Sequence, residues 1–161
     1  MSAVGLIGST LLPVPAISVN MKSFVTDSTD PLMTSVLVSV GGNTTYQHGQ
    51  GTHGSLSRAN TFSNMAAIGP DFKKSFVDEA PVSNADLAPT LAHLLGFTGP
   101  HRGLHTGRVL VEALAGGPPS VPHEKNVMRS RDAAGRATIL LYQQAGGRRY
   151  FDEACFATVS C

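Results

Sequence analysis

The sequence predicts an α/β domain, and three observations carry that expectation. Val36-Leu37-Val38-Ser39-Val40 is β-branched and nearly continuous in hydrophobicity, as in a strand covered on both faces. Leu87, Leu91, Leu94 and Leu95 recur at helical spacing and give one apolar stripe. Strand and helix patterns mix along the chain rather than segregating into separate runs, which favours α/β over α+β.

A chain of 161 residues is long enough for one domain with a core, and 1–161 is read as a single domain. Its 42% hydrophobic and 14% charged residues describe an ordinary globular chain. Net charge is +1, and Lys and Arg are scattered apart from a loose group at Arg129, Arg131 and Arg136. No face suited to a phosphate backbone follows, so nucleic acid is not an expected partner. No segment reaches the roughly 20 apolar residues of a membrane span. The apolar N-terminus has no Lys or Arg before Lys22, so it lacks the basic region of a signal peptide and is read as leading into a strand. Cys155 and Cys161 could close a small loop, but their spacing matches neither a disulfide framework nor a zinc motif, and they are read as free or incidental thiols.

In chain order, Ala16-Ile17-Ser18-Val19-Asn20-Met21 alternates after Pro13 and Pro15, as a strand does. Asp27 to Pro31 has turn chemistry. The strand at Val36 to Val40 is stopped by Gly41-Gly42-Asn43. From Asn43 to Asn64 there is little to bury, and a loop of that length is more often functional than idle. Asn64 to Ile68 reads as a short strand broken by Gly69-Pro70.

The leucine helix should be capped by Asp86, carry Pro89 in its first turn and end at Gly96. Its expected task is packing. Arg108 to Leu114 suggests one or two helical turns before the breaker Gly116-Gly117-Pro118-Pro119. The tail predicts a β-hairpin, with Ala137 to Gln143 and Arg149 to Asp152 joined across Ala145-Gly146-Gly147.

Candidate chemistry gathers between Gly49 and Phe72. Gly49-Gln50-Gly51-Thr52-His53-Gly54 is formally G-x-G-x-x-G, but eight residues separate Val40 from Gly49 and no helical periodicity follows, so a dinucleotide site is not expected. Ser55 and Ser57 lack the G-x-S-x-G elbow of an esterase nucleophile. His53 is the candidate metal ligand, because its small neighbours Thr52 and Gly54 would let the ring approach an ion. A catalytic zinc needs about three protein ligands, and the other histidines do not supply them. His48 shares the loop. His93 sits on the packing helix and reads as a satisfied structural histidine. His101 and His105 are four apart, but Pro100 and Gly103 argue against a helix that would align them. Asp71 and Asp78 lie in turn-like contexts and read as structural.

The run GQGTHGSLSRANTFSNMAAIGPDFKKSFVDEAPVSNADLAPTLAHLLG, Gly49 to Gly96, resembles the C-terminal part of the alkaline phosphatase superfamily. The likeness is strongest to its type I phosphodiesterase/nucleotide pyrophosphatase branch. The shared pattern is HGS after a glycine-rich loop, then GPDF, then S-N-A-D-x-x-x-T-x-x-x-L-L-G. PAISVNMKSF before it, and GRVLVEAL and RYFD after it, extend the likeness over residues 13–152.

The resemblance implies the C-terminal portion of a central sheet flanked by helices. It implies a two-ion zinc site in the complete enzyme, a phosphate-ester substrate, and displacement at phosphorus by a Thr or Ser nucleophile. His53 stands where that family has a metal ligand. The nucleophile and the other ligands lie upstream in family members and have no counterpart here, and the ending ACFATVSC departs from the pattern as a truncation or frame change would. The resemblance therefore implies an incomplete site with at most one zinc ligand, little hydrolysis by this chain alone, and association with a complementing N-terminal chain or with itself. Members of that family are often exported.

Overall fold

A computed structural model describes residues 17, 23–27, 29, 34–36, 56–99 and 106–157. It is a small α/β fold with few helices, and its main sheet is three-stranded and antiparallel. Two short strands come first, β1 (Ser23–Val25) and β2 (Thr34–Val36). They pair antiparallel with Phe24 opposite Ser35. After β1, the Asp27 carboxylate accepts hydrogen bonds from the Thr29 N–H at 2.8 Å and from its hydroxyl at 2.6 Å, the turn chemistry expected there. The expected strand at residues 36–40 meets β2 at Val36, and its remainder lies outside the described residues. Of the strand expected at 16–21, only Ile17 is described, and it is exposed and in no regular element.

α1 (Arg58–Thr61) is a single turn inside the long polar stretch, where the sequence predicts loop. α2 (Leu87–Leu94) is the leucine helix. Asp86 is its N-cap residue, as expected, although the Asp86 side chain makes no capping bond to this helix. A 3-10 turn at Asn84–Asp86 precedes it, and Ser83 is the cap of that turn. The Ala85 N–H donates to Ser83 Oγ at 3.2 Å, while the Ser83 N–H donates to Asp86 Oδ2 at 2.8 Å. This reciprocal box satisfies two amides that no helical carbonyl can reach. Pro89 falls in the first turn, as expected. At the other end Gly96 has φ +61°, the Gly96 N–H reaches His93 O, and the Phe97 N–H reaches Ala92 O at 2.9 Å. That pair of bonds is a Schellman motif.

The packing role expected of the leucine stripe is not what the fold shows. Leu87, Leu91 and Leu95 are exposed, Leu95 to 81%, and the buried side chains along this stretch are Asp86 and Thr90. Those two polar groups have committed partners on the following segment, described below, and their bonds decide which face turns inward. Leu94, the fourth leucine of the stripe, is half-buried. His93 is correspondingly exposed rather than a buried structural histidine.

The strand expected at residues 64–68 is also absent. A strand exists by its ladder, and this stretch has no ladder partner among the described residues. Ile68 is 99% exposed. Pairing begins only at Phe72, which makes a lone antiparallel bridge to Leu114, flanked by Lys73 N–H to Ala113 O and Ala115 N–H to Asp71 O. The helical turn expected near Arg108 to Leu114 is present as a 3-10 turn at Val111–Ala113.

The main sheet runs β3 (His123–Arg131), β4 (Ala137–Ala145) and β5 (Arg148–Phe156), in that spatial order. β4 and β5 are the expected tail hairpin. Gly146 and Gly147 make its two-residue turn with φ +54° and +74°, the conformation that a right-twisted hairpin needs and that side chains resist. β3 was not expected, and it is exposed along nearly all its length. Cys155 on β5 is disulfide-bonded, which corrects its reading as a free thiol. The one other cysteine, Cys161, lies outside the described residues.

The chain divides into two compact units. The first is built on Met65–Asn126 and Tyr142–Tyr150, and the second includes β1, β2, α1 and Val127–Leu141. The buried apolar residues Ala80, Leu110, Leu114, Ala145 and Tyr150 all belong to the first. In the second, α1 meets β5. The Thr61 hydroxyl donates to Asp152 O, Arg58 lies 3.5 Å from the Asp152 carboxylate, and the Ala154 N–H donates to Leu56 O at 2.9 Å. No described helix is long and apolar enough to cross a membrane.

Candidate functional site

The densest polar chemistry in the described structure is a buried cluster in the first unit: Asp78, Asp86, Thr90, Arg108, Glu112 and Tyr150. It is assembled from four stretches of sequence: the turn after Val77, the start of α2, the segment 106–112, and β5.

Gly107 makes the first junction. A Cβ placed on it would lie 2.0 Å from Ala85 O, so only glycine lets the two backbones approach this closely. That approach brings the Arg108 N–H to Asp86 Oδ1 at 2.8 Å. One helical turn on, Thr90 Oγ1 accepts the Leu110 N–H at 3.1 Å. Asp86 and Thr90 are four apart, hence on one face of the helix, and together they fasten the passing segment to it.

The Arg108 side chain then spreads over its neighbours. Its Nε donates to Tyr150 Oη at 3.0 Å, Nη1 to Glu112 Oε2 at 2.9 Å, and Nη2 to Pro81 O at 3.1 Å. Nη2 also lies 2.6 Å from Glu112 Oε1, an ion-pair contact. Tyr150 passes a proton donor onward, from its hydroxyl to Asp86 Oδ1 at 3.3 Å.

The electrostatics follow from burial and pairing. Burial pushes the Tyr150 phenol up to about 12, reinforced by the Asp86 charge, so it stays a neutral donor at ordinary pH. Burial also raises Asp78, with the Glu112 charge adding to it and the Ala80 N–H, 3.0 Å away, opposing it. Burial would raise Glu112 as well, but the Arg108 guanidinium outweighs it and holds Glu112 below the usual range. Arg108 is kept cationic against its own burial by Glu112 and Tyr150.

Asp86 and Glu112 have no exposed surface. A substrate has no route to either, so the cluster is a fastening, with no group presented for chemistry. Asp78 is thereby structural, as its turn context suggested. Asp71 is exposed and uses its carbonyl to hold Ala115.

The sequence-predicted site residue, His53, lies outside the described residues, as do His48, Ser55, His101 and His105. Ser57 is fully buried at the N-terminus of α1, where its Oγ accepts the Asn60 side-chain N–H at 2.9 Å. Among the described residues no group of three His, Cys, Asp or Glu could hold a metal ion. A zinc donor set is therefore not found in the described part, and no reaction step is routed through one. Arg108, Glu112 and Tyr150 were missed as a set. The one local signal was the four-residue spacing of Arg108 and Glu112, while Tyr150 is brought in only by the hairpin.

No family model, no curated protein and no solved structure matches this chain.

Proposed function

We propose that this chain is a C-terminal segment of a metal-dependent phosphoric ester hydrolase, of phosphodiesterase/nucleotide pyrophosphatase or phosphatase type. His53 would be its one zinc ligand, and the nucleophile would come from elsewhere. The sequence pattern from Gly49 to Gly96 carries this reading. One structural observation supports treating that pattern as more than composition. Its fixed polar positions, Asp86 and Thr90, are the buried groups that fasten the segment Arg108 to Leu110. A shared S-N-A-D-x-x-x-T pattern thus has a physical reason to exist, namely holding the next stretch of backbone.

The described residues present no activated nucleophile and no metal donor set, so this chain alone is proposed to hydrolyse little. The test measures zinc binding and the hydrolysis of a chromogenic phosphodiester by the full chain and by His53→Ala. Zinc affinity that falls with the substitution, together with negligible turnover, supports the proposal. Phosphodiester turnover that survives His53→Ala overturns it.

A second reading has its own observation. The exposed Leu87, Leu91, Leu95 and Phe97, with the unladdered stretch at 65–68, favour a non-catalytic piece that complements another chain. On that reading zinc binding is absent and association with the complementing polypeptide is the measurable activity.

A further inference from the structure

β3 is an open border of the main sheet. Among the described residues its one neighbour is β4, and it is exposed at every residue but Asn126. An edge strand leaves the N–H and C=O of every second residue without a ladder partner. Just past the end of β3, the Asp132 N–H points to Arg136 O at 3.0 Å, toward the strand that follows. Backbone groups alternate sides along a strand, so those of Arg131, Arg129 and Val127 turn to the open border. The side chains of the same three residues share one face, because side chains repeat every two residues. All three lie inside the second unit.

No ion pair among the described residues takes up Arg129 or Arg131. Arg131 gives one exposed bond, from Nη1 to Gly135 O at 3.3 Å. Arg136, by contrast, is paired with Asp132 at 2.7 Å. Charge on an edge strand is an ordinary guard against pairing with copies. A guard alone has no use for Val127 and Met128, which stand 55% and 44% exposed on β3. Large apolar side chains at an open edge favour an added strand, and the arginines beside them decide which strand is accepted. A copy of β3 sets guanidinium against guanidinium. An acidic strand sets carboxylates there instead, which arginine binds in a planar two-bond geometry.

We propose that residues 127–131 of β3 are a docking edge for an extended acidic segment of another polypeptide, added as an antiparallel fourth strand. Its backbone takes the N–H and C=O groups that Arg129 and Arg131 leave open. Its carboxylates, two residues apart, lie opposite the two guanidinium groups, and an apolar residue falls opposite Val127.

The ligand class is thus a strand of the pattern acidic-x-acidic-x-apolar. Backbone bonds along the edge supply the attachment, and charge on one face supplies the selection. The loose group of arginines in the sequence divides accordingly. Arg129 and Arg131 face the partner, while Arg136 braces the turn through Asp132.

The test uses the full chain and a fluorescent seven-residue peptide, TETETVT. Its controls are TKTKTVT, a TETETVT N-methylated at both glutamates, and a single-stranded oligonucleotide. Anisotropy at low salt reads binding, and hydrogen exchange at the Arg129 and Arg131 amides reads the edge. The expected result is that TETETVT binds and slows exchange at both amides, while the lysine and N-methylated peptides do not bind. The double variant Arg129→Glu, Arg131→Glu should weaken binding by about tenfold, since each attractive cross-strand pair becomes a like-charge one. Absence of TETETVT binding overturns the proposal. So does equal binding by the N-methylated peptide or by the double variant, or an oligonucleotide that binds where the peptide does not. N-methylation leaves the protein untouched, so that arm stands even if the double variant fails to fold. None of these readouts depends on His53 or on zinc.

Discussion

Arg108 Nε donates to the hydroxyl of Tyr150 at 3.0 Å, across 42 residues of sequence. Through this one bond the last hairpin of the chain is tied to the segment that α2 also holds. The hydroxyl relays the tie to Asp86, so hairpin, segment and helix share a single polar junction. Much of the first unit's order passes through that junction, since its buried apolar residues are few.

Replacing Arg108 by Met should be the most damaging single change there. It leaves Glu112 a buried charge without a counter-ion, a loss of about 3–5 kcal/mol. The double variant Arg108→Met, Glu112→Leu should recover most of that loss, because the buried charge goes with its partner. Urea unfolding of the three chains measures both effects.

Thr90→Val keeps the side chain's shape and removes the acceptor for the Leu110 N–H. The expected loss is about 1–3 kcal/mol, that of leaving one buried donor unsatisfied. Hydrogen exchange at the Leu110 amide should speed up accordingly, and Thr90→Ser should restore its protection.

The Tyr150 phenol is held neutral well past its ordinary value of 10.0, to about 12. Its folded value lies above its unfolded one, so its stabilising contribution is complete below pH 10.0 and is lost as pH rises through about 12. An ultraviolet titration of the folded chain should show a late-ionising component from Tyr150. Tyr150→Phe should remove that late component and lower stability by about 1–3 kcal/mol.

Leu91 is 51% exposed on the outer face of α2. Leu91→Glu should change unfolding stability by no more than about 0.5 kcal/mol. It should also reduce any concentration-dependent association seen by sedimentation. A large loss of stability would mean that the stripe packs after all.

What the sequence revealed was local. The Gly146-Gly147 turn and the helix ending at Gly96 were legible because each rests on a backbone conformation that one residue type favours. The turn at Asp27 was legible for a similar reason, a short side chain bonding its own neighbourhood. The orientation of α2 was not legible. Periodicity shows that Leu87 and Leu91 share a face, but which face turns inward depends on what Asp86 and Thr90 meet some twenty residues later. β3 escaped notice because His123 to Arg131 is polar apart from Val127-Met128 and shows no alternation. The strand expected at residues 64–68 was inferred from composition alone, while a strand requires a partner. For the candidate site, His53 stood out by its glycine-rich setting, whereas the Arg108 cluster is spread over four distant stretches and has no motif.

The exposed, charged character of β3 has a consequence for how this protein would fail. β3 lies at one edge of the main sheet, and it carries Lys125, Arg129 and Arg131 in solvent. At the other edge, β5 already gives the Ala154 N–H to Leu56. Repulsion at one border and occupancy at the other discourage copies from stacking strand on strand. The bare leucines of α2 have no such guard. At high concentration the chain should therefore cluster through its helix into amorphous, dye-silent precipitate rather than grow ordered filaments.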